Sequence, residues 1–285
     1  MQKSPDITVV KCGGNASVDP EATCADIAHL VRAGRRVILV HGGSADIERL
    51  AGRLGVRLKR MTSPDGLTAR YTDDAALEVV SLALAGVVQP RLVSELISDG
   101  VPAVGVTGVQ GALVRARRRR AQRALVGRRQ VIVRDDRSGR ITRVNVKLLF
   151  TLLDADFTPV VSPPVLAEDG TVVNADADRV AAAIAAAVRA RALILLTGAP
   201  GVLADSSDPR SAMPVCVVPR EGPPPMRDAG IAVKLLAARD ALMAGVPTVL
   251  IAGGNGPQPV RGALSGTATR VSLGPSSAPA ERAAS

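Results

Sequence analysis

Residues 7–45, ITVVKCGGNASVDPEATCADIAHLVRAGRRVILVHGGSA, contain two units of one design: a short apolar run, a glycine pair, then a helical pattern. Ile7 to Val10 reads as a strand, and Pro20 to Ala33 as an amphipathic helix closed by Gly34. Val37 to Val40 reads as a second strand, with a helix from about Ala45 to Leu54. Aliphatic runs bounded by glycine favour buried strands, whereas apolar residues at a 3.6-residue period favour helices. The alternation continues downstream. Ala75 to Asp99 is a long helical stretch, Ala103 to Val106 a strand, and Gln130 to Arg143 a hairpin expected to turn at Arg137-Ser138-Gly139. Val160 to Ser162 and Leu193 to Leu196 are strands flanking the Ala-rich helix Ala177 to Arg189. Lys234 lies in a helix running to Ala244, before the strand Thr248 to Ala252. Strands and helices in this order predict an α/β fold around a mainly parallel sheet.

Composition narrows the function. The 285 residues are 47% apolar, but with two Phe, one Tyr and no Trp, so aliphatic layers must fill the core. Without aromatic platforms, binding of single-stranded nucleic acid is disfavoured. Cys12, Cys24 and Cys216 show no CxxC spacing and are odd in number, which argues against a disulfide framework or a structural zinc site. A strand-like run begins within six residues of Met1, with no leader pattern, and Arg189 and Arg191 interrupt the longest apolar stretch. The expectation is a cytoplasmic protein with no membrane segment. The net charge of +10 is uneven: eight arginines and no acid fall between Arg115 and Arg129. Such a segment is either a solvated hairpin or a face for an acidic partner. No nucleic-acid-binding motif accompanies it, so nucleic acid ranks third.

Lys11-Cys12-Gly13-Gly14-Asn15 and His41-Gly42-Gly43-Ser44-Ala45 each place paired glycines between a strand and a helix. There the backbone can approach a ligand closely, and amides at a helix start attract anionic oxygens. Adjacent parallel strands would bring both turns to one sheet edge. Neither turn is a Walker A loop or a dinucleotide GxGxxG fingerprint. Asn174-Ala175-Asp176-Ala177-Asp178 opens the Ala-rich helix, where capping alone would not need three polar side chains. Arg70-Tyr71-Thr72-Asp73 precedes another helix, and Gly230 to Lys234 opens a third.

The order K-x-G-G, HGGSA, RYTD, N-x-D-x-D and a late Gly-x-x-x-Lys resembles the amino-acid kinase family from about Ile7 to Val271. Within it, the chain is similar to N-acetylglutamate kinase and to the kinase acting on aminoadipate or glutamate attached to a small acidic amino-group carrier protein, LysW. The resemblance implies a three-layer αβα sandwich of the carbamate kinase type, use of ATP and Mg²⁺, and a homodimer. It matches Lys11 and Lys234 to the lysines on the transferring phosphoryl group, and Asp178 to the aspartate that orients them. Gly13, Gly14, Gly42 and Gly43 match the glycines on phosphoryl oxygens. Arg70 and Asn174 match the residues on the substrate carboxylate, with Gly43 and Ser44 beside them. No protein metal ligand is implied. The division implied is an acceptor-binding lobe over 1–176, an ATP-binding lobe over 177–273 and a disordered tail over 274–285.

Ser44-Ala45 after the second glycine pair, Tyr71 after Arg70, and the run Val160 to Pro164 resemble the carrier-dependent branch. The arginine segment would then be the carrier's docking face. N-acetylglutamate kinase is the alternative, and a non-catalytic regulatory or nucleic-acid-binding module the distant one. One departure from the family is Thr197-Gly198-Ala199, where relatives often carry an aspartate; it bears on the nucleotide contacts.

Overall fold

In a computed structural model, residues 6–14, 17–63, 66, 68–119, 121–126, 129–226 and 229–275 are described. The first half of the chain runs β1 (Ile7–Cys12), α1 (Pro20–Arg32), β2 (Arg36–His41), α2 (Ser44–Leu54), β3 (Lys59–Thr62), β4 (Thr68–Tyr71), α3 (Asp74–Ala83), α4 (Gln89–Ser98), β5 (Ala103–Gly108), β6 (Val114–Arg118), β7 (Gln122–Val126), β8 (Arg129–Val133) and β9 (Gly139–Val144). The second half runs α5 (Val146–Asp154), β10 (Thr158–Ala167), β11 (Val172–Val173), α6 (Ala177–Ala187), β12 (Ala192–Thr197), β13 (Val215–Val218), α7 (Ala229–Met243), β14 (Val249–Gly253), α8 (Pro259–Ser265) and β15 (Thr269–Leu273).

Eleven strands form one sheet in the order β13-β15-β14-β12-β1-β2-β10-β6-β9, with β5 and β11 also paired to β10. Its centre is parallel: β1 pairs with β2 on one side and β12 on the other, and β12 pairs with β14. Every residue of β1 is buried, because helices cover both faces and an apolar side chain pays no penalty in either direction. One face packs against α5, α6 and α7 through Leu149, Ile184 and Leu235. The other packs against α1 to α4 and α8 through Ile27, Ile47, Val80, Leu92 and Val260. The chain therefore forms the three-layer αβα sandwich expected of it.

Side-chain caps fix several helix starts. Asp19 accepts from the amides of Glu21 (2.9 Å) and Ala22 (3.1 Å) ahead of α1, and Asp73 from Ala76 (3.0 Å) ahead of α3. The stretch expected as one helix over Ala75 to Asp99 is α3 and α4 joined by a π-helical turn at Leu84–Val88. Together, Asp74–Ser98 is the one helix among the described residues long and apolar enough to cross a bilayer by length and composition. Its Val79, Val80, Ala83, Leu84, Leu92 and Leu96 pack into the second core layer.

The hairpin expected over Gln130 to Arg143 does not form. β8 pairs with β7, and β9 pairs with β6, so Arg137-Ser138-Gly139 carries the chain between two sheets instead of turning it back. The second sheet has four strands, β4-β3-β7-β8, around a small core of Met61, Tyr71, Ala124 and Val133. The arginine segment is likewise divided, with β6 in the central sheet and β7 in the small one. Of the tail expected over 274–285, residues 276–285 lie outside the described residues.

Candidate active site

The carboxyl ends of β1 and β2 lie side by side, in a register that pairs Lys11 with Val40 and Cys12 with His41. The chain leaves β1 toward β2 on one flank and returns to β12 on the other, so the strand order reverses at β1. In open α/β sheets, ligands bind in the crevice outside such a reversal. A cleft of about 1090 Å³ opens there.

The two glycine turns meet backbone to backbone. The Gly14 carbonyl accepts from the Ala45 amide (2.8 Å) and from the Ser44 hydroxyl (2.9 Å). A Cβ on Gly14 would stand 2.1 Å from the Gly43 nitrogen and 2.6 Å from the Ser44 nitrogen. One on Gly43 would stand 2.7 Å from Leu84 Cδ2 and 3.0 Å from Val88 Cγ2, in the π-helical turn. Gly43 is also the N-cap of α2 and brings no capping side chain to it. Gly13, Gly14, Gly42, Gly43 and Ser44 all line the cleft.

Lys11 enters from the end of β1, Asp178 from the first turn of α6, and Lys234 from the second turn of α7. Lys11 Nζ lies 2.9 Å from Asp178 Oδ1, and Lys234 Nζ lies 3.0 and 2.9 Å from Asp178 Oδ1 and Oδ2. The three side chains are only 7–10% exposed. Burial would push the Asp178 carboxyl upward, but the two ammonium groups outweigh it and hold it at about 2. Burial is also the largest influence on Lys11, yet Asp178 and Asp176 together leave its pKa raised. At Lys234, burial prevails and repulsion from Lys11 adds to it, so its pKa is lowered. Asp176, the N-cap of α6, is pushed upward by burial and by Asp178. Both buried ammoniums contact one carboxylate, and an anion entering the cleft would share them with it.

The opposite wall comes from the small sheet. β4 carries Arg70 into the cleft, while its neighbour Tyr71 points into the sheet's own core. Burial, with Arg60 nearby, presses the Arg70 pKa downward against the opposing effect of Glu48. Asn174 lines the same space, and its amide nitrogen donates to Thr72 Oγ1 at 3.3 Å. All ten candidate residues thus share one cleft, with Lys11, Asp178 and Lys234 in direct contact. Other cleft residues escaped the sequence reading: Lys59 and Arg60 of β3, Ser138, and Leu203, Met226 and Ile231 beyond β12. The lysine and arginine sit in a short charged strand, and the apolar three in loops and a helix start, so no motif marks them.

A family model, described as the amino acid kinase family, matches residues 6–253. The chain belongs to the amino acid kinase family. It is 36% identical over 274 residues to a LysW-aminoadipate kinase of Deinococcus radiodurans, covering 94% of this chain and 92% of the relative. It is 38% identical over 251 residues to an acetylglutamate kinase of Methanopyrus kandleri, covering 85% and 93%. Among solved structures, a carbamate kinase from Giardia superposes with a TM-score of 0.63 at 14% identity, covering 95% of this chain and all 100% of that one, a likeness of fold alone.

Proposed function

We propose that this protein transfers the γ-phosphoryl group of ATP to the side-chain carboxylate of α-aminoadipate or glutamate held through its amino group on a small acidic carrier protein. The observation that carries this reading is the buried Lys11–Asp178–Lys234 contact beside the paired glycine turns. A carboxylate acceptor is already ionised at neutral pH, so the reaction requires no general base. His41 suits that absence: it is 1% exposed, and burial drives its pKa down to about 4.

An oxygen of the acceptor carboxylate forms a bond to the γ-phosphorus as the bond to ADP breaks, leaving an acyl phosphate. The barrier then falls through positioning and through neutralising charge on the moving phosphoryl group. Lys11 and Lys234 face that charge, and Asp178 fixes both ammoniums. Gly13, Gly14, Gly42 and Gly43 bring the backbone close to phosphoryl oxygens. Arg70 and Asn174 hold the acceptor's carboxylate, with Gly43 and Ser44 beside it. On this reading residues 1–176 hold the acceptor and 177–273 the nucleotide, with Lys11 and the glycine turns of the first lobe reaching the phosphoryl group between them.

Among the described residues, no group of three His, Cys, Asp or Glu side chains could cage a metal ion. Mg²⁺ would enter with ATP, held chiefly by its phosphates, and would neutralise charge between them. The protein would work in the cytoplasm as a homodimer, which light scattering would test.

Carrier dependence is supported by the LysW-aminoadipate kinase relative and by the basic segment. Arg119 lines the cleft, and Arg117 and Arg123 are exposed beyond it. A carrier with acidic residues would meet this face as its tethered side chain enters the cleft. Arg117 pairs with Glu168 at 3.2 Å, but with side chains 74% and 47% exposed, and such a pair adds little to stability. The double variant Arg117→Ser/Arg123→Ser is therefore expected to raise KM for carrier-linked substrate roughly tenfold at low salt, with a smaller difference at high salt. Turnover of a free analogue should stay unchanged; equal loss on both substrates would reject docking.

A further expectation concerns the meeting of the turns. Gly14→Ala pushes a methyl group into backbone atoms of Gly43 and Ser44 and must part the two loops. Misplacement on this scale is expected to lower kcat by about 100-fold in a steady-state assay. A variant with wild-type turnover would mean that the contact is not needed.

The function itself is tested by trapping the acyl phosphate with hydroxylamine. Carrier-linked aminoadipate or glutamate should give hydroxamate, ATP-dependently and well above N-acetylglutamate. The 38% identity to an acetylglutamate kinase supports a second reading, and preference for N-acetylglutamate would establish it. No hydroxamate from any acceptor would overturn both.

A further inference from the structure

Arg70 and Asn174 lie on separate structures, one on a strand of the small sheet and the other in the loop before α6. Both must meet one acceptor. The segment Asp136 to Gly139, which passes from the small sheet to β9, runs between them. Asp136 is 1% exposed, and its Oδ1 accepts from the Thr72 amide at 3.0 Å. Its Oδ2 receives the Ser138 hydroxyl. The Arg137 amide donates to the Thr72 carbonyl at 2.6 Å, and the Asn174 amide donates to the Arg137 carbonyl at 2.7 Å. The Gly139 amide returns to the Asn174 carbonyl at 2.9 Å, making Ser138 and Asn174 a short parallel bridge. The Arg137 guanidinium forks onto Asp74 at 2.5 and 3.0 Å. Thr72 and Asn174 are thus both bound to the segment, and the Asn174 side chain also donates directly to Thr72 Oγ1 at 3.3 Å.

We propose that Asp136 is a positioning residue for the acceptor, clamping the Arg70-Tyr71-Thr72 strand end to the Asn174 loop so that Arg70 and Asn174 hold a fixed separation. This rests on the acceptor roles given above to those two residues. A buried carboxylate that accepts from a backbone amide is costly to remove, because the amide is left without a partner. The loss should therefore propagate to both loops and spare the glycine turns. Asp136→Asn keeps an oxygen for the Thr72 amide and offers its NH₂ group to the Ser138 oxygen. It should retain part of the clamp.

The test has two arms on the full chain. In hydrogen–deuterium exchange, Asp136→Ala should speed exchange roughly tenfold at Thr72 and at Asn174 together, with the turns at 11–14 and 42–45 unchanged. In kinetics, KM for the acceptor should rise roughly tenfold while KM for ATP stays within about twofold, and Asp136→Asn should lie between. Faster exchange at Thr72 alone, or an equal rise in both KM values, would overturn the clamp. If Asp136→Ala does not fold, Asp136→Asn is judged alone by the same criteria. If wild-type protein phosphorylates no acceptor, the functional reading fails, and the exchange arm still decides whether Asp136 joins the two loops.

Discussion

Replacing Lys11 or Lys234 with alanine is expected to lower kcat by about 10²–10³, equivalent to about 3–4 kcal/mol of transition-state stabilisation. Each ammonium sits in a water-poor wall, where a fixed charge acts with less screening than in bulk solvent. Because the charge on the phosphoryl group is redistributed in the transition state, kcat and kcat/KM should fall together. Arginine should not restore activity at either position. Its planar fork needs more room than a point ammonium, and the two lysine side chains are only 7% and 10% exposed. Unchanged kcat with a raised KM for ATP would reduce the lysines to ground-state binding groups.

The Asp178→Ala variant is expected to suffer most in the fold itself. Removing the carboxylate takes away the group that both buried ammoniums contact and leaves them facing each other, a change of about 3–5 kcal/mol. For a chain of this size that corresponds to a melting temperature lower by on the order of 10 °C. The pH dependence gives the mechanism away. In the wild type, Asp178 titrates at about 2, below the ordinary carboxylate value of about 3.9, so its contribution is present above pH ~4 and fades as pH falls toward 2. The variant lacks that acid limb. It should instead gain stability as pH rises into the alkaline range, because burial favours neutral lysines and the unfolded chain then binds more protons than the folded one. Thermal melts across pH would show both features; a variant with the wild-type profile would contradict the charge argument.

What could be read from sequence followed burial on both faces. β1 and β2 are mostly apolar, with Val9-Val10 and Val37 to Val40 at their centres, because helices cover both sides of the central sheet, and the glycine pairs beside them mark close backbone approach. The small sheet left no such mark. Lys59–Thr62 and Thr68–Tyr71 turn one side to a polar cleft, so only Met61 and Tyr71 betray the buried side. The misread hairpin has a related cause. Arg137-Ser138-Gly139 has the residues of a turn, but β8 buries Val133 against Met61, Tyr71 and Ala124, a non-local pairing that local turn chemistry does not register. The π-helical turn in Leu84–Val88 changes hydrogen-bond spacing without changing the apolar pattern, and so reads as plain helix.

In the site, Lys11, Asp178 and Lys234 were legible only as members of an ordered set of motifs. Lys11 and Lys234 lie 223 positions apart in the chain, and no spacing rule announces that one carboxylate will hold both. Asp136 was missed because an aspartate before Arg-Ser-Gly looks like turn chemistry. Only the fold brings its oxygens to Thr72 and Ser138. Tyr71, noted as a marker of one family branch, fills the core of the small sheet; its neighbour Arg70 faces the cleft.

A crystal structure with acceptor, MgADP and aluminium fluoride in place of the moving phosphoryl group would probe the site's chemistry at its centre. Both lysine nitrogens should lie about 3 Å from fluoride or phosphate oxygen atoms while remaining on Asp178. A phosphoryl mimic seated elsewhere in the cleft, with both ammoniums still bound to Asp178 alone, would contradict the account.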